Sequence, residues 1–365
     1  MRVFSICRGA PGLGRVAPSL GLSQTLARVH GAHTRFASYA AGYAYLQAIG
    51  QDVVKLGSPD GLFIDAVAPQ ALQVLELAEA EAPDLILIDG EFYLPATLVH
   101  LGIPIVYLAN PHDLLGPANT FRRVNRLLLG HAAAVIISSL SCGIPQEISA
   151  LVPGAACLQV PPIIKELVPG HRTGTDKPRV LVSMGGGSIG ADLAFRAATD
   201  EALNALLNEL KLLVDARSVG AVTVVLGADG RASTVPTGGW LTVVDRPVEL
   251  TAMYADHEVL IARAGRNVIA EAMYCGIPTV LIPIITDRHR GSEQSGNAEA
   301  AQSAYIRAVS NWQARGSLRQ ALTEAVTKAH RPVRRTGSRG NGPAAALLAD
   351  LCASVGDDRC STAPV

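Results

Sequence analysis

Residues 261–298 read IARAGRNVIAEAMYCGIPTVLIPIITDRHRGSEQSGNA, and this stretch decides the fold class of the chain. The apolar run from Val259 to Ala262 just before and inside it predicts a parallel strand buried on both faces. Asn267 is predicted to be the N-cap of a helix from Val268 to Cys275, which Gly276 ends. A strand that leads through a glycine turn into a helix is the repeating unit of α/β domains with a parallel sheet.

The residues after this helix continue the alternation. Thr279 to Ile285 predicts the next strand, and a polar loop is predicted to lead from it to Glu293, Gln294 and Asn297. A helix N-terminus binds anions, and amide side chains can donate to and accept from hydroxyl groups at once. The stretch therefore predicts a site for an anionic ligand that also carries hydroxyl groups.

Length and composition bound the class of protein. The chain has 365 residues, which favours two domains over one. Hydrophobic residues make up 49% and charged residues 17%, as expected of a well-buried α/β protein. The formal net charge is zero, which gives no electrostatic case for binding nucleic acid.

The cysteines and the apolar runs bear on location. The six cysteines have no metal-ligand spacing and predict a reducing compartment. MRVFSIC at the N-terminus predicts a first strand and not a signal peptide, and no apolar run reaches the ~18 residues of a membrane span. The basic residues 121–129 favour a packed helix with a solvated face, so at most a peripheral membrane contact is expected. We predict a cytoplasmic protein.

The first half of the chain supplies the acid/base candidates. Gly12 and Gly14 lie in a glycine-rich turn after the strand Arg2 to Cys7, but without the third glycine and the acidic residue of a dinucleotide-binding fingerprint. Two later strands are predicted in this half. The first ends at Asp89, which Glu91 follows, and the second ends shortly before His112. Parallel strands bring such residues to one sheet edge, so Asp89 and His112 are candidate acids or bases. A helix cap for Asp89 and a backbone-bonded loop histidine for His112 stay open as alternatives.

The second half contains a second glycine-rich turn. The strand Arg179 to Ser183 is followed by Met184 and then by Gly185, Gly186, Gly187 and Ser188. Consecutive glycines let backbone N–H groups approach a phosphate closely, whereas the Lys-Ser/Thr of a nucleotide-hydrolysing P-loop is missing. A tight strand-to-helix turn without a ligand is the alternative.

The alternation of strands and helices predicts two doubly wound Rossmann-like α/β domains that face a cleft. Residues 1–165 form the first, 166–178 a linker, 179–353 the second and 354–365 a tail, with the last helix allowed to pack back on the first domain.

RAGRNVIAEAMYCGIPTVLIP followed by EQSGNA resembles the donor-nucleotide motif of GT-B glycosyltransferases of the MurG type. That motif has an Arg-Ser/Ala-Gly helix start, a glutamate six residues later, a Gly-x-Pro strand, and a glutamine and an asparagine three residues apart. SMGGGSIGA and VVDRPVELTAMYADHEVLIARAG resemble the family's diphosphate loop and base-binding segment. The family's usual threonine is Val268 here. The resemblance implies the GT-B fold.

The resemblance also implies roles for individual residues. Glu271 would accept hydrogen bonds from ribose hydroxyls, Gln294 and Asn297 would contact sugar hydroxyls, and Pro247 and Val248 would flank the base. The diphosphate would be held by residues of the two glycine turns, namely Gly186, Gly187, Ser188, Gly265 and Arg266. Gly185, Arg263 and Asn267 are assigned to the donor site without a more specific role. No metal or other cofactor is expected, since backbone N–H groups and a helix dipole can stabilise the departing diphosphate.

Arg15 departs from the family, which commonly has a histidine at this place near the acceptor. Arginine stays protonated and cannot act as a base, so Asp89 or His112 is expected to take that role. Arg15 would then bind an anionic acceptor or the diphosphate, or lie on the surface. Gly12, Gly14 and Glu91 are assigned to the acceptor side.

The predicted function is that of a metal-independent, inverting glycosyltransferase. It would move a sugar from a nucleotide diphosphate, with UDP favoured over dTDP or GDP, to a hydroxyl of a small-molecule or lipid-linked acceptor. The alternatives are a nucleotide-sugar hydrolase or epimerase and a non-catalytic partner subunit that binds nucleotide sugars. The sequence leaves the sugar, the acceptor and a homodimer open.

Overall fold

A computed structural model describes residues 1–10, 12–57, 63–114, 120–140, 152–167, 176–185, 193–226, 235–236, 238–286, 289–303, 305–314, 316–329 and 338–361. The chain divides into two compact units. Unit 1 comprises Met1–Gly9, Arg15–Lys165 and Arg339–Val365, and unit 2 comprises Ala10–Gly14 and Glu166–Ser338. Thus the C-terminal segment belongs to the same unit as the N-terminal half of the chain.

Unit 1 is built on a seven-stranded parallel sheet with the strand order β3-β2-β1-β4-β5-β6-β7. Its strands are β1 Arg2–Cys7, β2 His33–Ser38, β3 Val53–Lys55, β4 Leu85–Asp89, β5 Ile105–Ala109, β6 Ala134–Ser138 and β7 Ala156–Val160. The central strands β4, β5 and β6 are buried along their whole length, as their continuous apolar runs predict. The strand order reverses between β1 and β4, the place where open α/β sheets bind ligands.

Helices connect the strands of unit 1. They are α1 Val16–His30, α2 Ala40–Ala48, α3 Phe63–Glu81, α4 Leu94–Leu98 with a 3-10 turn Val99–Leu101, α5 Pro111–Leu114, α6 Thr120–Leu129 and, at the end of the chain, a helix Asn341–Ser361. This last helix packs its Ala344, Ala345 and Leu348 into the same apolar core as Leu22 and Leu26 of α1.

Unit 2 repeats the architecture with six parallel strands in the order β10-β9-β8-β11-β12-β13. The strands are β8 Arg179–Ser183, β9 Ala221–Val225, β10 Leu241–Val244, β11 Val259–Arg263, β12 Thr279–Ile282 and β13 Ile306–Ala308. Here the order reverses between β8 and β11. Both units therefore have the strand order of a Rossmann-like sheet, which confirms the predicted α/β fold class.

The helices of unit 2 are α7 Leu193–Asp215, α8 Leu250–Met253 with a 3-10 turn Tyr254–Asp256, α9 Arg266–Cys275, α10 His289–Ala301 and α11 Ser317–Ala329. The final helix Asn341–Ser361 is α12. Apolar side chains of α7 and α11 pack with those of β8, β9, β11 and β12 in one core. Among the described residues, no helix is both long and apolar enough to cross a membrane.

Two boundaries differ from the predicted ones in the stretch that decides the fold. Helix α9 begins at Arg266 with Gly265 as its N-cap, so the prediction of Asn267 as the N-cap is wrong. The cause is the bond from the N–H of Ile269 to the carbonyl oxygen of Gly265 (3.1 Å), which starts the helix two residues earlier. Strand β12 ends at Ile282 and not at Ile285, just before Pro283, which has no N–H for a strand ladder.

Candidate functional site

The start of helix α9 is the predicted diphosphate end of the unit 2 site. Gly265 is exposed and extended (φ −79°, ψ 136°) and follows directly after β11 and Ala264. Arg266 and Asn267 occupy the first turn and are half-buried. No side chain caps this helix, so its first backbone N–H groups leave an anion-binding end at the carboxyl edge of the sheet.

Gly185 and Arg263 lie together at the point where the strand order of unit 2 reverses. Gly185 has φ +123°, and a Cβ built on it would fall 1.6 Å from Nη2 of Arg263. The Arg263 guanidinium also lies over the ring of Phe195, 5.1 Å from its centroid. Glycine is therefore needed at 185 both for its backbone conformation and for the close passage of the arginine. The neighbouring candidates Gly186, Gly187 and Ser188 lie outside the described residues.

Glu271 points its carboxylate into a buried environment. Its exposed fraction is 3%, and the hydroxyl of Tyr254, itself 3% exposed, donates to Oε2 at 2.8 Å. Burial first, and the negative charge of Glu271 second, raise the pKa of Tyr254 well above its ordinary value, so the phenol stays protonated and acts as the donor. Pro247 and Val248, the predicted neighbours of the nucleobase, are half-buried just before α8 in the same unit. Val248 packs on the apolar cluster that contains Tyr254.

Gln294 and Asn297 lie on helix α10, which already begins at His289, so the prediction of a loop that continues to Glu293 is wrong from His289 onward. The spacing of three residues puts both amides on one helix face, where each ties α10 to a strand end. Oε1 of Gln294 accepts from the N–H of Ile284 (3.0 Å), and Nδ2 of Asn297 donates to the carbonyl oxygen of Ala264 (3.2 Å). Both amides therefore adjoin the carboxyl ends of β11 and β12, and their contact with sugar hydroxyls stays a prediction.

In unit 1, Arg15 is the centre of a buried ionic group at the carboxyl ends of β4 and β5. Its Nη1 donates to Oδ1 of Asp89 at 3.1 Å, and its Nη2 lies 2.7 Å from both carboxylate oxygens of Asp113. Side-chain exposures are 16% for Arg15, 3% for Asp89 and 12% for Asp113. The structure thus brings together two of the predicted catalytic residues and adds a carboxylate that was not among them.

The electrostatics of this group fix the charge of Arg15. Burial acts to lower the pKa of its guanidinium, but Asp113 and Asp89 outweigh burial, and the pKa is raised well above its ordinary value. Arg15 is therefore a permanent cation and not a base. Since two carboxylates already neutralise it, the expectation that it binds an anionic acceptor is weakened.

Asp113 was not among the predicted site residues, although it directly follows the predicted residue His112. The backbone of His112 lies in the short helix α5, while its side chain lies outside the described part of the chain. Asp113 also accepts from the backbone N–H of Asn110 at 2.9 Å, which fixes its carboxylate toward Arg15. The only signal for Asp113 in the sequence was its place four residues after the end of β5, comparable to that of Asp89 at the end of β4.

Glu91 belongs to a neighbouring buried group. Its Oε1 accepts from the hydroxyl of Tyr39 at 2.9 Å and lies 3.4 Å from Nε of Arg8. Burial first, and Glu91 second, raise the pKa of Tyr39. Gly12 and Gly14 lie in the segment that clusters with unit 2, and a Cβ at either would meet no atom within 4 Å.

Among the described residues, no group of three or more His, Cys, Asp or Glu side chains could hold a metal ion. Glu91, Asp89 and Asp113 of unit 1 instead contact arginines.

Residues 181–348 match the glycosyltransferase family 28 C-terminal domain. Two bacterial relatives carry the name UDP-N-acetylglucosamine--N-acetylmuramyl-(pentapeptide) pyrophosphoryl-undecaprenol N-acetylglucosamine transferase. The one from Paenarthrobacter aurescens is 28% identical over 243 residues, 64% of this chain and 58% of the relative. The one from Lachnospira eligens is 29% identical over 166 residues, 43% of each chain. The matches thus span about half the length of these relatives.

Solved structures are similar over nearly the whole chain. The structure of MurG from Acinetobacter baumannii has 17% identity and a TM-score of 0.54, covering 96% of this chain and 99% of its own. The glycosyltransferase SnogD from Streptomyces nogalater has 21% identity and a TM-score of 0.56 at the same coverage. At these identities the likeness shows the fold.

Proposed function

The chain has the GT-B fold of MurG-type glycosyltransferases and carries their family 28 C-terminal domain at residues 181–348, and from this premise we propose that it transfers a sugar from a UDP-sugar to an acceptor hydroxyl. The observation that carries the proposal is the buried Glu271, which accepts from Tyr254 and lies six residues after Gly265, the exposed N-cap of a helix that no side chain caps. The diphosphate lies at the helix start and the ribose at Glu271, which follows the order of these groups in the nucleotide.

The reaction we propose is a direct displacement with inversion at the anomeric carbon. The bond from this carbon to the diphosphate oxygen breaks, and UDP leaves with the electron pair. The acceptor oxygen forms the new bond, and its proton passes to a base. Asp89 is the base we favour, since this carboxylate ends β4 at the reversal of strand order, the sheet edge at which open α/β sheets bind ligands. His112 is the alternative.

The departing diphosphate needs positive potential, which the N-terminus of α9 and the nearby Arg263 and Arg266 supply. These groups support a reaction without a metal. The acceptor is proposed as a hydroxyl compound, small or lipid-linked, as the lipid-linked acceptor in the names of the relatives suggests.

The test is to incubate the purified chain with UDP-N-acetylglucosamine, UDP-glucose and dTDP-glucose, each with and without a panel of neutral and lipid-diphosphate acceptors. UDP and free sugar are quantified by chromatography. We expect UDP release that depends on an acceptor, together with a glycosylated product. Fast release of UDP and free sugar without acceptor would instead indicate a hydrolase, and donor binding without turnover over the whole panel would indicate a non-catalytic subunit.

A further inference from the structure

We propose that Glu91 is a specificity-determining residue, which neutralises Arg8 at the carboxyl edge of the unit 1 sheet and so restricts the acceptor to hydroxyl compounds without a phosphate or other anionic group next to the reacting hydroxyl. This inference rests on the proposed function, because it takes that edge of unit 1 to be the acceptor side. Of the small and lipid-linked acceptors, it favours the neutral ones.

Arg8 lies beside the favoured base. It follows directly after β1, at the point where the strand order of unit 1 reverses, and its backbone N–H donates to the carbonyl oxygen of Asp89 at 2.9 Å. Gly90 lets its side chain pass, since a Cβ at that position would fall 2.7 Å from Cβ of Arg8. The side chain of Arg8 is 28% exposed, compared with 16% for Arg15. Of these two cations, Arg8 is therefore the one that an acceptor reaches more easily.

Glu91 is fixed next to Arg8. Its Oε1 lies 3.4 Å from Nε of Arg8 and accepts from the hydroxyl of Tyr39 at 2.9 Å, and its side chain is only 6% exposed. The ring of Phe92 lies on one face of the guanidinium, with its centroid 5.3 Å from Cζ. Burial acts to lower the pKa of Arg8, but the charge of Glu91 is the largest opposing cause, and the pKa is raised. The arginine therefore stays charged, and the carboxylate that neutralises it is held in place by a tyrosine.

The second arginine of this edge supplies no spare positive charge. Arg15 contacts both Asp89 and Asp113. Among the described side chains of the group, three carboxylates thus face two guanidiniums, an excess of one negative formal charge. Because the group is largely buried, water screens this charge less than it would at a surface. A phosphate at this edge would be attracted by Arg8 and repelled by the carboxylates, whereas a neutral hydroxyl can bond with either kind of group.

A buried neutral hydroxyl lies within the same group. Tyr107 on β5 is fully buried, and none of the described residues forms a hydrogen bond with its hydroxyl. Burial first, and the charge of Asp113 second, raise the pKa of Tyr107 well above its ordinary value, and the charges of Arg15 and Arg8 act in the opposite direction. The phenol thus keeps its proton among these charges. A buried polar group of this kind points to a ligand that brings a hydrogen-bonding partner, and a phenol adds no positive charge for an anion.

The first measurement is calorimetric titration of inorganic pyrophosphate into the full chain in saturating UDP, which occupies the proposed diphosphate site of unit 2. Glu91→Gln removes the charge of the carboxylate and keeps its shape. We expect this variant to bind pyrophosphate at least about tenfold more tightly than the wild-type protein, because the guanidinium of Arg8 is then available to a phosphate. The double variant Arg8→Gln/Glu91→Gln should lose this gain.

Glu81→Gln is the matched control. Glu81 also pairs with an arginine of unit 1, Arg35, but it ends α3 shortly before β4 begins and so lies at the amino end of the sheet. This variant should bind pyrophosphate like the wild-type protein.

The second measurement compares acceptors in matched pairs that differ by one phosphate group, such as glucose and glucose 1-phosphate, at saturating UDP-sugar. We expect the wild-type protein to have a kcat/KM at least about tenfold higher for the neutral member, because like charges at an interface suppress the wrong partner. In Glu91→Gln this ratio should fall by at least about threefold.

Several outcomes would overturn the inference. Pyrophosphate binding by the wild-type protein that Arg8→Gln abolishes would do so, as would a preference for the phosphorylated acceptors. A Glu91→Gln variant with native circular dichroism and no gain in binding would make Glu91 and Arg8 a structural ion pair. If Glu91→Gln does not fold, the wild-type protein and Arg8→Gln decide. The proposed function fails separately, if UDP is not bound or is released without an acceptor, and the comparison of pyrophosphate binding with Arg8→Gln still tests the charge of this edge.

Discussion

Arg15 is held by ion pairs with two carboxylates. Its guanidinium contacts Asp89 and Asp113, which lie 74 and 98 residues away in the chain. Removing one partner of a buried ionic group leaves an uncompensated charge, which costs about 3–5 kcal/mol for a fully buried pair. Asp113 therefore contributes to the stability of this ionic group, and under the proposed function Asp89 would also contact the acceptor.

The substitution Asp89→Asn tests the role of the base. The amide can still accept from Arg15, but it cannot take a proton, so we expect transfer turnover to fall by about 10²- to 10⁴-fold while UDP affinity is retained. Turnover is measured with saturating donor, and UDP affinity by calorimetry.

Asp52→Asn is the control for this prediction, because Asp52 is about half exposed and lies 3.6 Å from Nε of Arg35 in the same unit. It should have near-normal turnover. If Asp89→Asn also has near-normal turnover, Asp89 is not the base, and His112 is the next candidate.

Gly185→Ala tests the predicted diphosphate turn. The new methyl group would collide with Nη2 of Arg263 at a residue whose φ is +123°. We expect a loss of about 1–3 kcal/mol in the free energy of unfolding, together with weaker binding of UDP, because the arginine must move.

Denaturant unfolding and UDP titration measure the two effects. Gly239→Ala serves as the matched control, since a Cβ there meets no atom within 4 Å. Equal UDP affinities for the two variants would remove Gly185 and Arg263 from the donor site.

At the scale of elements, one buried side chain fixes helix α12 in unit 1. Oδ1 of Asn341 accepts from the N–H of Ile164 at 3.1 Å. Its Nδ2 lies 2.9 Å from the carbonyl oxygens of Gly21 and Ile164 and 3.1 Å from Oγ1 of Thr25. The first residue of α12 thus ties together helix α1 and the segment after β7.

Asn341→Ala should lower the stability of unit 1 by about 2–4 kcal/mol, because several buried backbone groups lose their partner. Both tryptophans, Trp240 and Trp312, lie in unit 2. Urea unfolding followed by far-UV circular dichroism should therefore show an earlier transition, whereas tryptophan fluorescence should not move.

Asn204→Ala, at an exposed position of α7, is the control and should leave both signals unchanged. A shift of the fluorescence transition in Asn341→Ala, or no shift of either signal, would contradict the assignment of α12 to the stability of unit 1.

The sequence predicted elements well where burial is continuous. β4 ends at the predicted residue Asp89, and β5 ends at Ala109, shortly before His112 as predicted, because both strands are continuous apolar runs. Helix α10 was missed because its residues are polar and rich in glycine and serine, which have weak helix propensity. Its helical state accompanies tertiary bonds from Gln294 and Asn297, which no local pattern displays.

The sequence also predicted only those residues of the candidate site that a local pattern or the family motif marks. Glu271, Gly185 and Asp89 follow strands at which the sheet order reverses, and the family motif pointed to the first two. Tyr254 and Asp113 were not singled out, since their contacts with Glu271 and Arg15 join residues that are distant in sequence. Contacts of this kind depend on packing and not on periodicity.

At the scale of the whole molecule, the two units carry different parts of the proposed chemistry. The nucleotide candidates around α9 and Glu271 belong to unit 2, and the ionic group around Arg15 belongs to unit 1. Variants in unit 2 should therefore change UDP affinity, and variants in unit 1 should change turnover at saturating donor.

Nucleotide binding by Glu271 of unit 2 is tested most directly by calorimetric titration of UDP into the wild-type protein, Glu271→Ala and the exposed control Glu299→Ala. We expect Glu271→Ala to lose about 1–3 kcal/mol of binding free energy and Glu299→Ala to bind like the wild-type protein. Equal affinity of Glu271→Ala and the wild-type protein, or no binding of UDP to any of the three, would contradict it.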